Sequence, residues 1–218
     1  MLSNKLKLLP CTFLLSMSLL SQQSKEVSHY LLPDFTPGTV LMKNGTRNPA
    51  LLNYNAASEE MIFDQNGQKL ALANPTLGLI DSVFIADKTF VRQSNKFMEV
   101  LFQKDFQLFA EHKCRVTPPP KPAAYGGTSE TSSVDTYSSW SSDGRMYNLQ
   151  LPDDFKVRPY AVYWLRKDGK MRNFVSMGQI RKFYAKKKKQ LKTYEETNKT
   201  DFEDAESITK LFQFMESQ

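Results

Sequence analysis

From residue 38 to residue 116, apolar positions recur every second residue in short runs separated by turn-forming pairs. A period of two places one apolar face on an extended strand. Residues 39–43 run into Asn44-Gly45, and 61–65 run into Asn66-Gly67 followed by 68–72. Both dipeptides favour the positive φ that a two-residue type I′ hairpin requires. Residues 80–86 set Ile80, Ser82 and Phe84 against Asp81, Val83 and Ile85, then turn at Asp87-Lys88 into 89–92. Residues 97–103 and 106–112 pair across Lys104-Asp105. The pattern predicts an antiparallel meander, twisted into a sheet or part-closed barrel. The spacing of the two Asn-Gly turns hints at an internal duplication, although two units are too few to define a repeat.

The alternation stops at 117–143. Pro118, Pro119, Pro120 and Pro122 open this loop, Gly126-Gly127 follows, and Ser and Thr crowd its second half. Structureless connections of this length are either functional or disordered. Tyr125, Tyr137 and Trp140 mark it as a candidate partner-binding surface, because rigid aromatics among Ser, Thr and Gly make adaptable contact surfaces. The competing expectation is that these rings fold back to cover the sheet.

Strand character returns at 145–151, and Asp168-Gly169 joins 161–166 to 170–175 in another type I′ hairpin. The period then changes. Ser176 with Gln179 forms a capping-box pattern, and Met177, Ile180, Phe183, Leu191 and Tyr194 line one helical face. Asp201 can cap a second helix with an apolar stripe of Ala205, Ile208, Leu211, Phe212 and Met215. The fold expected is α+β: a β-rich domain over 38–175, with two C-terminal helices forming a hairpin over 176–218 and packing on the same domain.

Ahead of this domain, Lys5 and Lys7 precede an apolar run from residue 8 to residue 20, then Ser21, Gln22 and Gln23. A basic start, a short apolar stretch and a small residue predict a signal peptide over 1–21. The run is too short to anchor in ~30 Å of hydrocarbon, so no transmembrane segment is expected after cleavage. Residues 22–37 then form an N-terminal arm. Export puts the chain in the periplasm or on the extracellular face, away from chromosomal DNA and soluble nucleotide cofactors, so no nucleic-acid partner and no cofactor are expected.

Composition sharpens the compartment. Of the two cysteines, Cys11 lies in the leader, so Cys114 stands alone and the mature chain has no internal disulfide. Small secreted animal domains lean on disulfides, and their absence suits a bacterial envelope protein living on its core. The formal net charge of +6 includes two leader lysines and bears first on solubility.

Chemistry is sparse. The chain has two histidines, His29 in the arm and His112 two residues from Cys114 on a strand. A Cys/His dyad needs an orienting third group, and none is evident. No CxxC, HExxH or His-carboxylate cluster appears, so no metal site is expected. Glu59-Glu60 and Asp153-Asp154 read as solvated carboxylates on extended backbone. Ser207 and Lys210 match a Ser-x-x-Lys spacing, and Tyr184 with Lys188 a Tyr-x-x-x-Lys spacing; neither has its companion motif. Arg181, Lys182, 186–189 and Lys192 crowd one helix. Acidic residues follow at Glu195, Glu196, Glu203 and Asp204, so this face reads as solvated, with Lys187 snorkelling; anionic lipid or acidic polysaccharide is the alternative partner.

Lys69-Leu70-Ala71-Leu72, Asp81-Ser82-Val83-Phe84-Ile85, residues 122–129 and Val162-Tyr163-Trp164-Leu165, with the closing Lys-rich helix and its partner, resemble an uncharacterised family of exported proteins from Gram-negative bacteria. The resemblance implies an envelope location and strands before helices, and carries no activity or site residue. The expected function is a non-enzymatic exported envelope protein that binds a protein, glycan or lipid partner or supports an assembly. The alternative is a glycan or peptidoglycan hydrolase, which needs two carboxyls facing each other across a cleft.

Overall fold

Hairpin follows hairpin through most of the protein. The computed structural model describes residues 28–72, 74–117, 121–122, 128–129, 151 and 155–217. Residues 1–21, where a signal peptide is expected, most of the strand expected at 145–151, and Tyr125, Tyr137 and Trp140 lie outside the described residues.

The first four strands are β1 (Thr36–Met42), β2 (Arg47–Asn55), β3 (Glu60–Gln65) and β4 (Gln68–Ala71). A four-residue helix, α1 (Asn74–Leu77), leads to β5 (Ile80–Ile85), β6 (Lys88–Gln93), β7 (Lys96–Gln103) and β8 (Gln107–Thr117). Two short strands, β9 (Lys121–Pro122) and β10 (Thr128–Ser129), pair as a separate ribbon. Last come β11 (Lys156–Lys167) and β12 (Lys170–Phe174). The ten-stranded antiparallel sheet runs β12-β11-β8-β7-β6-β5-β1-β2-β3-β4 and is open, with β12 and β4 as its edges.

A single meander was expected, but β5 pairs with β1 rather than with β4. Two meanders, β1–β4 and β5–β8, therefore meet through their first strands, and the chain passes from one to the other through α1. At this seam Gly38 lies so close to β5 that an added Cβ would sit 2.5 Å from the Phe84 carbonyl oxygen. Only glycine allows that approach.

The turns divide by geometry. Asn66-Gly67 and Asp168-Gly169 have positive φ at both positions and join directly paired flanking residues, as type I′ requires. Asn44-Gly45 does not form the expected two-residue tip. Gly45 alone has positive φ, its N–H donates to Met42 O at 2.8 Å, and Met42 N–H reaches Thr46 O at 2.9 Å. This is a three-residue loop with a glycine bulge. The turn expected at Asp87-Lys88 lies one residue earlier, with Ala86 at φ 52 and Ile85 opposite Lys88.

The arm docks onto the sheet. Leu31 N–H donates to Tyr54 O and Ala56 N–H to His29 O. Asn53, buried at 1% exposure, accepts from Leu32 N–H and donates to Leu32 O. That pair of bonds fastens the arm where β1 no longer covers β2.

One sheet face carries both apolar cores. At one end Val40, Leu52, Tyr54, Met61, Val83, Ile85, Phe90, Cys114 and Val116 meet as the sheet curls inward. Tyr54 stacks on Phe90 at 5.6 Å, and its hydroxyl donates to His112 O on β8 at 3.3 Å. At the other end helices cover Leu108, Ala110, Tyr163 and Leu165. Here the expected two helices become three: α2 (Met177–Phe183), α3 (Lys188–Thr197) and α4 (Ala205–Glu216), with a 3-10 turn (Ala185–Lys187) between the first two. Lys187 N–H bonds to Tyr184 O, tightening the chain within the lysine run, and Lys187 Nζ donates to Met215 O. The cap of α4 is Asp204, which accepts from Glu206 N–H at 2.9 Å; Asp201 instead accepts from Glu203 N–H in the preceding turn. Ile208, Leu211, Phe212 and Met215 are fully buried, as the stripe predicts, each contributing roughly 1.5–3 kcal/mol of transfer free energy.

Candidate functional site

Two glutamates are buried near the middle of the adjacent strands β7 and β8. On β8, Leu108 and Ala110 face the helical core, Cys114 and Val116 face the other core, and His112 lies between them on the same face. Its cross-strand neighbourhood includes Glu99, which pairs with Ala110 on one side and Phe90 on the other. His112 Nε2 lies 2.5 Å from Glu99 Oε2, and Lys88 Nζ lies 2.8 Å from Oε1. Burial by itself would raise the Glu99 carboxyl; hydrogen bonds with His112 and Lys88 outweigh it and hold the group below its ordinary value.

Glu111 belongs to the opposite face and is 2% exposed. It accepts from Trp164 Nε1–H on β11 at 2.9 Å, and its other oxygen meets Lys96 Nζ at 2.5 Å and Lys113 Nζ at 3.3 Å. Glu59, in the β2–β3 turn, closes the ring with Lys113 at 2.5 Å and Lys96 at 3.2 Å. Burial again opposes ionisation of Glu111, and the Lys96 and Trp164 hydrogen bonds outweigh it, so this carboxyl is also held low. Burial is the largest single influence on Lys96 and opposes its charge; the hydrogen bonds to Glu111 and Glu59 and the charges of both carboxylates together outweigh it, moving it up to about 12.

Glu59 therefore departs from the solvated carboxylate expected of Glu59-Glu60. It sits at φ 59, a left-handed conformation uncommon outside glycine and asparagine, and joins the β2–β3 turn to β7 and β8. Asp153-Asp154 lies outside the described residues.

The contacts tie β6, β7, β8, β11 and the β2–β3 turn together through charge. A general acid uses a carboxyl raised by its surroundings, whereas the cations around both buried glutamates hold them low. A cleft of about 680 Å³ opens beside β5–β7, and Asp81 is the one acidic side chain among its described lining residues. A glycosidase pair would need a second.

The other sequence candidates are likewise engaged structurally. Cys114 is buried, which pushes its thiol up; it lies 3.6 Å from the Arg115 carbonyl oxygen, while the Nε2 of His112 is committed to Glu99. Ser207 Oγ accepts from Asp201 N–H, and Lys210 pairs with Glu206. Tyr184 donates to Glu216, and its hydroxyl is raised, first by burial and then by that contact. Among the described residues no group of His, Cys, Asp and Glu is arranged to hold a metal ion, and no helix is long and apolar enough to cross a membrane.

Two surfaces then stand out. The first is the connection between β8 and β11. These strands pair from Gln107↔Arg166 to Thr117↔Lys156, so both ends of residues 118–155 are clamped side by side. Within it, pairing of Thr128 with Pro122 and of Ser129 with Lys121 reverses the chain across the segment containing Gly126-Gly127. The second is the lysine run on α2 and α3. Sequence reasoning missed two clusters, Glu99 with Lys88 and His112 on one face and Glu111 with Glu59, Lys96, Lys113 and Trp164 on the other. The available signal was a carboxylate near the middle of each of two adjacent strands, β7 and β8.

Compared with family models, with curated proteins and with solved structures, the chain matches none.

Proposed function

We propose that this chain is an exported, non-enzymatic protein of a Gram-negative envelope that works by binding, with the β8–β11 connection as its contact surface. The observation that carries the reading is the clamp at Thr117↔Lys156. A long excursion held at both ends by a ladder is presented from a rigid base, and its sequence supplies Tyr125, Tyr137 and Trp140. Loops positioned by a rigid scaffold are where binding concentrates. Pro118, Pro119 and Pro120 would stiffen the exit, and the Ser/Thr groups would supply hydrogen bonds around aromatic anchors.

The ionised, fully partnered state of Glu99 and Glu111 supports binding over hydrolysis. The test places a photo-crosslinking residue at Tyr137 in cells producing the protein, then recovers adducts from the envelope fraction. Intact mass of the recovered chain reports cleavage near Ser21 in the same preparation. A discrete adduct on a chain lacking residues 1–21 is expected. Retention of Met1, or no adduct beyond that seen with the crosslinker at an exposed helix site such as Thr193, would overturn the reading.

A further inference from the structure

Acidic residues follow the lysine run in sequence, and the structure shows where they go. Glu195 pairs with Arg181, Glu196 with Lys192, Glu206 with Lys210, and Glu216 with Lys167. None of these contacts neutralises Lys182, Lys186, Lys188 or Lys189, which are exposed and have no ion-pair or hydrogen-bond partner among the described residues. Lys182 stands in α2, Lys186 in the 3-10 turn and Lys189 in α3, each two positions after a residue of the packed side, namely Ile180, Tyr184 and half-buried Lys187. That packed side buries Ile180, Tyr184, Leu191 and Tyr194. The result is a group of exposed cations spread over three successive elements.

We propose that this face docks on an anionic phospholipid surface. Exposed ammonium groups spread over three elements match a plane of headgroups better than a single small anion, which would need convergent donors. Lysine supplies point charge without the bidentate fork that selects one phosphate or carboxylate. Just ahead of α2 in the chain Val175 is 50% exposed. An exposed apolar side chain on the same segment as the cations suits a bilayer interface, where side chains of both kinds are stabilised, over a soluble polyanion. The inference stands apart from the β8–β11 connection and does not depend on it.

Flotation of the full chain with phosphatidylcholine vesicles, with and without phosphatidylglycerol, tests it. Each lysine near an anionic surface is worth about fivefold in affinity, so K182Q/K186Q/K189Q is expected to weaken binding on the order of a hundredfold. Raising salt from about 0.1 M to about 1 M, which shortens the screening length from about 10 Å to about 3 Å, should release the wild type. K182R/K186R/K189R should retain binding, and K104Q/K156Q/K199Q, which removes as much charge from exposed lysines outside α2, the 3-10 turn and α3, should change it little. Circular dichroism of each variant establishes that it is folded. Equal loss in the two glutamine triples would overturn the proposal, as would heparin binding without binding to phosphatidylglycerol vesicles. No dependence on phosphatidylglycerol in the wild type would overturn it as well.

Discussion

The sheet and the helical segment both concentrate lysine, in opposite electrostatic states. On the sheet, Lys88, Lys96 and Lys113 each meet a glutamate, and Trp164 and His112 take further carboxylate oxygens. On the helices, Lys182, Lys186, Lys188 and Lys189 meet none among the described residues. Burial explains the contrast. A buried carboxylate, Glu99 on the core face or Glu111 on the opposite one, must be paired, because leaving it alone costs several kcal/mol. An exposed ammonium is already solvated and gains little from a partner. Paired charge in this molecule is therefore fold chemistry, and unpaired charge is available for an outside partner.

The largest effect should come from breaking the paired state. Glu111→Gln leaves Lys96, Lys113 and Trp164 facing a neutral group, and unfolding free energy from urea titration is expected to drop by about 3 kcal/mol, the low end for a broken buried pair because the lysines can rehydrate. Acid is the gentler route to the same state. The folded carboxyls of Glu99 and Glu111 bind protons less tightly than unfolded ones, so the unfolded chain gains protons first as pH falls. Their stabilisation is present above the ordinary carboxylate range near pH 4.5 and is lost as pH drops through their lower folded values. Lys96 behaves conversely: its contribution is complete below 10.5 and disappears as pH rises through about 12. Thermal midpoints across pH should show both limbs, and E99Q/E111Q should flatten the acidic one.

Turn chemistry gives a smaller effect on the same scale. Gly169→Val forces a β-branched residue to φ 69 and is expected to lower the denaturation midpoint by an amount equivalent to about 1 kcal/mol or more. An unchanged midpoint would contradict the type I′ assignment. The smallest effect belongs to the open charges: K182Q/K186Q/K189Q should stay within about 0.5 kcal/mol of wild type in urea, as surface changes do. A larger loss would show that these lysines also support the fold.

Much of this architecture can be read from short-range pattern. Asn66-Gly67 and Asp168-Gly169 specify their turns because φ > 0 at both positions is a local demand. The α4 stripe specifies its buried face because Ile208, Leu211, Phe212 and Met215 follow one helical period. Long-range pairing is less legible. Nothing in β4 or β5 announces that β5 will choose β1, a choice made by side chains and backbone far apart in sequence, with Gly38 providing the close approach. The ring of Glu59, Lys96, Glu111, Lys113 and Trp164 is hidden for the same reason, since its members come from the β2–β3 turn and three strands. Asp204 takes the cap expected of Asp201, and packing of Phe202 against Tyr163 and Phe174 accompanies the later start of α4. Tyr163 also donates to Phe202 O at 2.9 Å.

If the charged sheet clusters are structural and binding belongs to the β8–β11 connection, as proposed, the two regions should separate in one experiment. Partner capture from native envelope extract, quantified for Y125A/Y137A/W140A and for Glu111→Gln at a temperature where both remain folded, tests it most directly. Capture should be lost in the aromatic triple, with its thermal midpoint near wild type, and kept by Glu111→Gln despite its lower midpoint. Capture that survives in the triple and vanishes with Glu111→Gln would place the working site in the sheet and contradict the account.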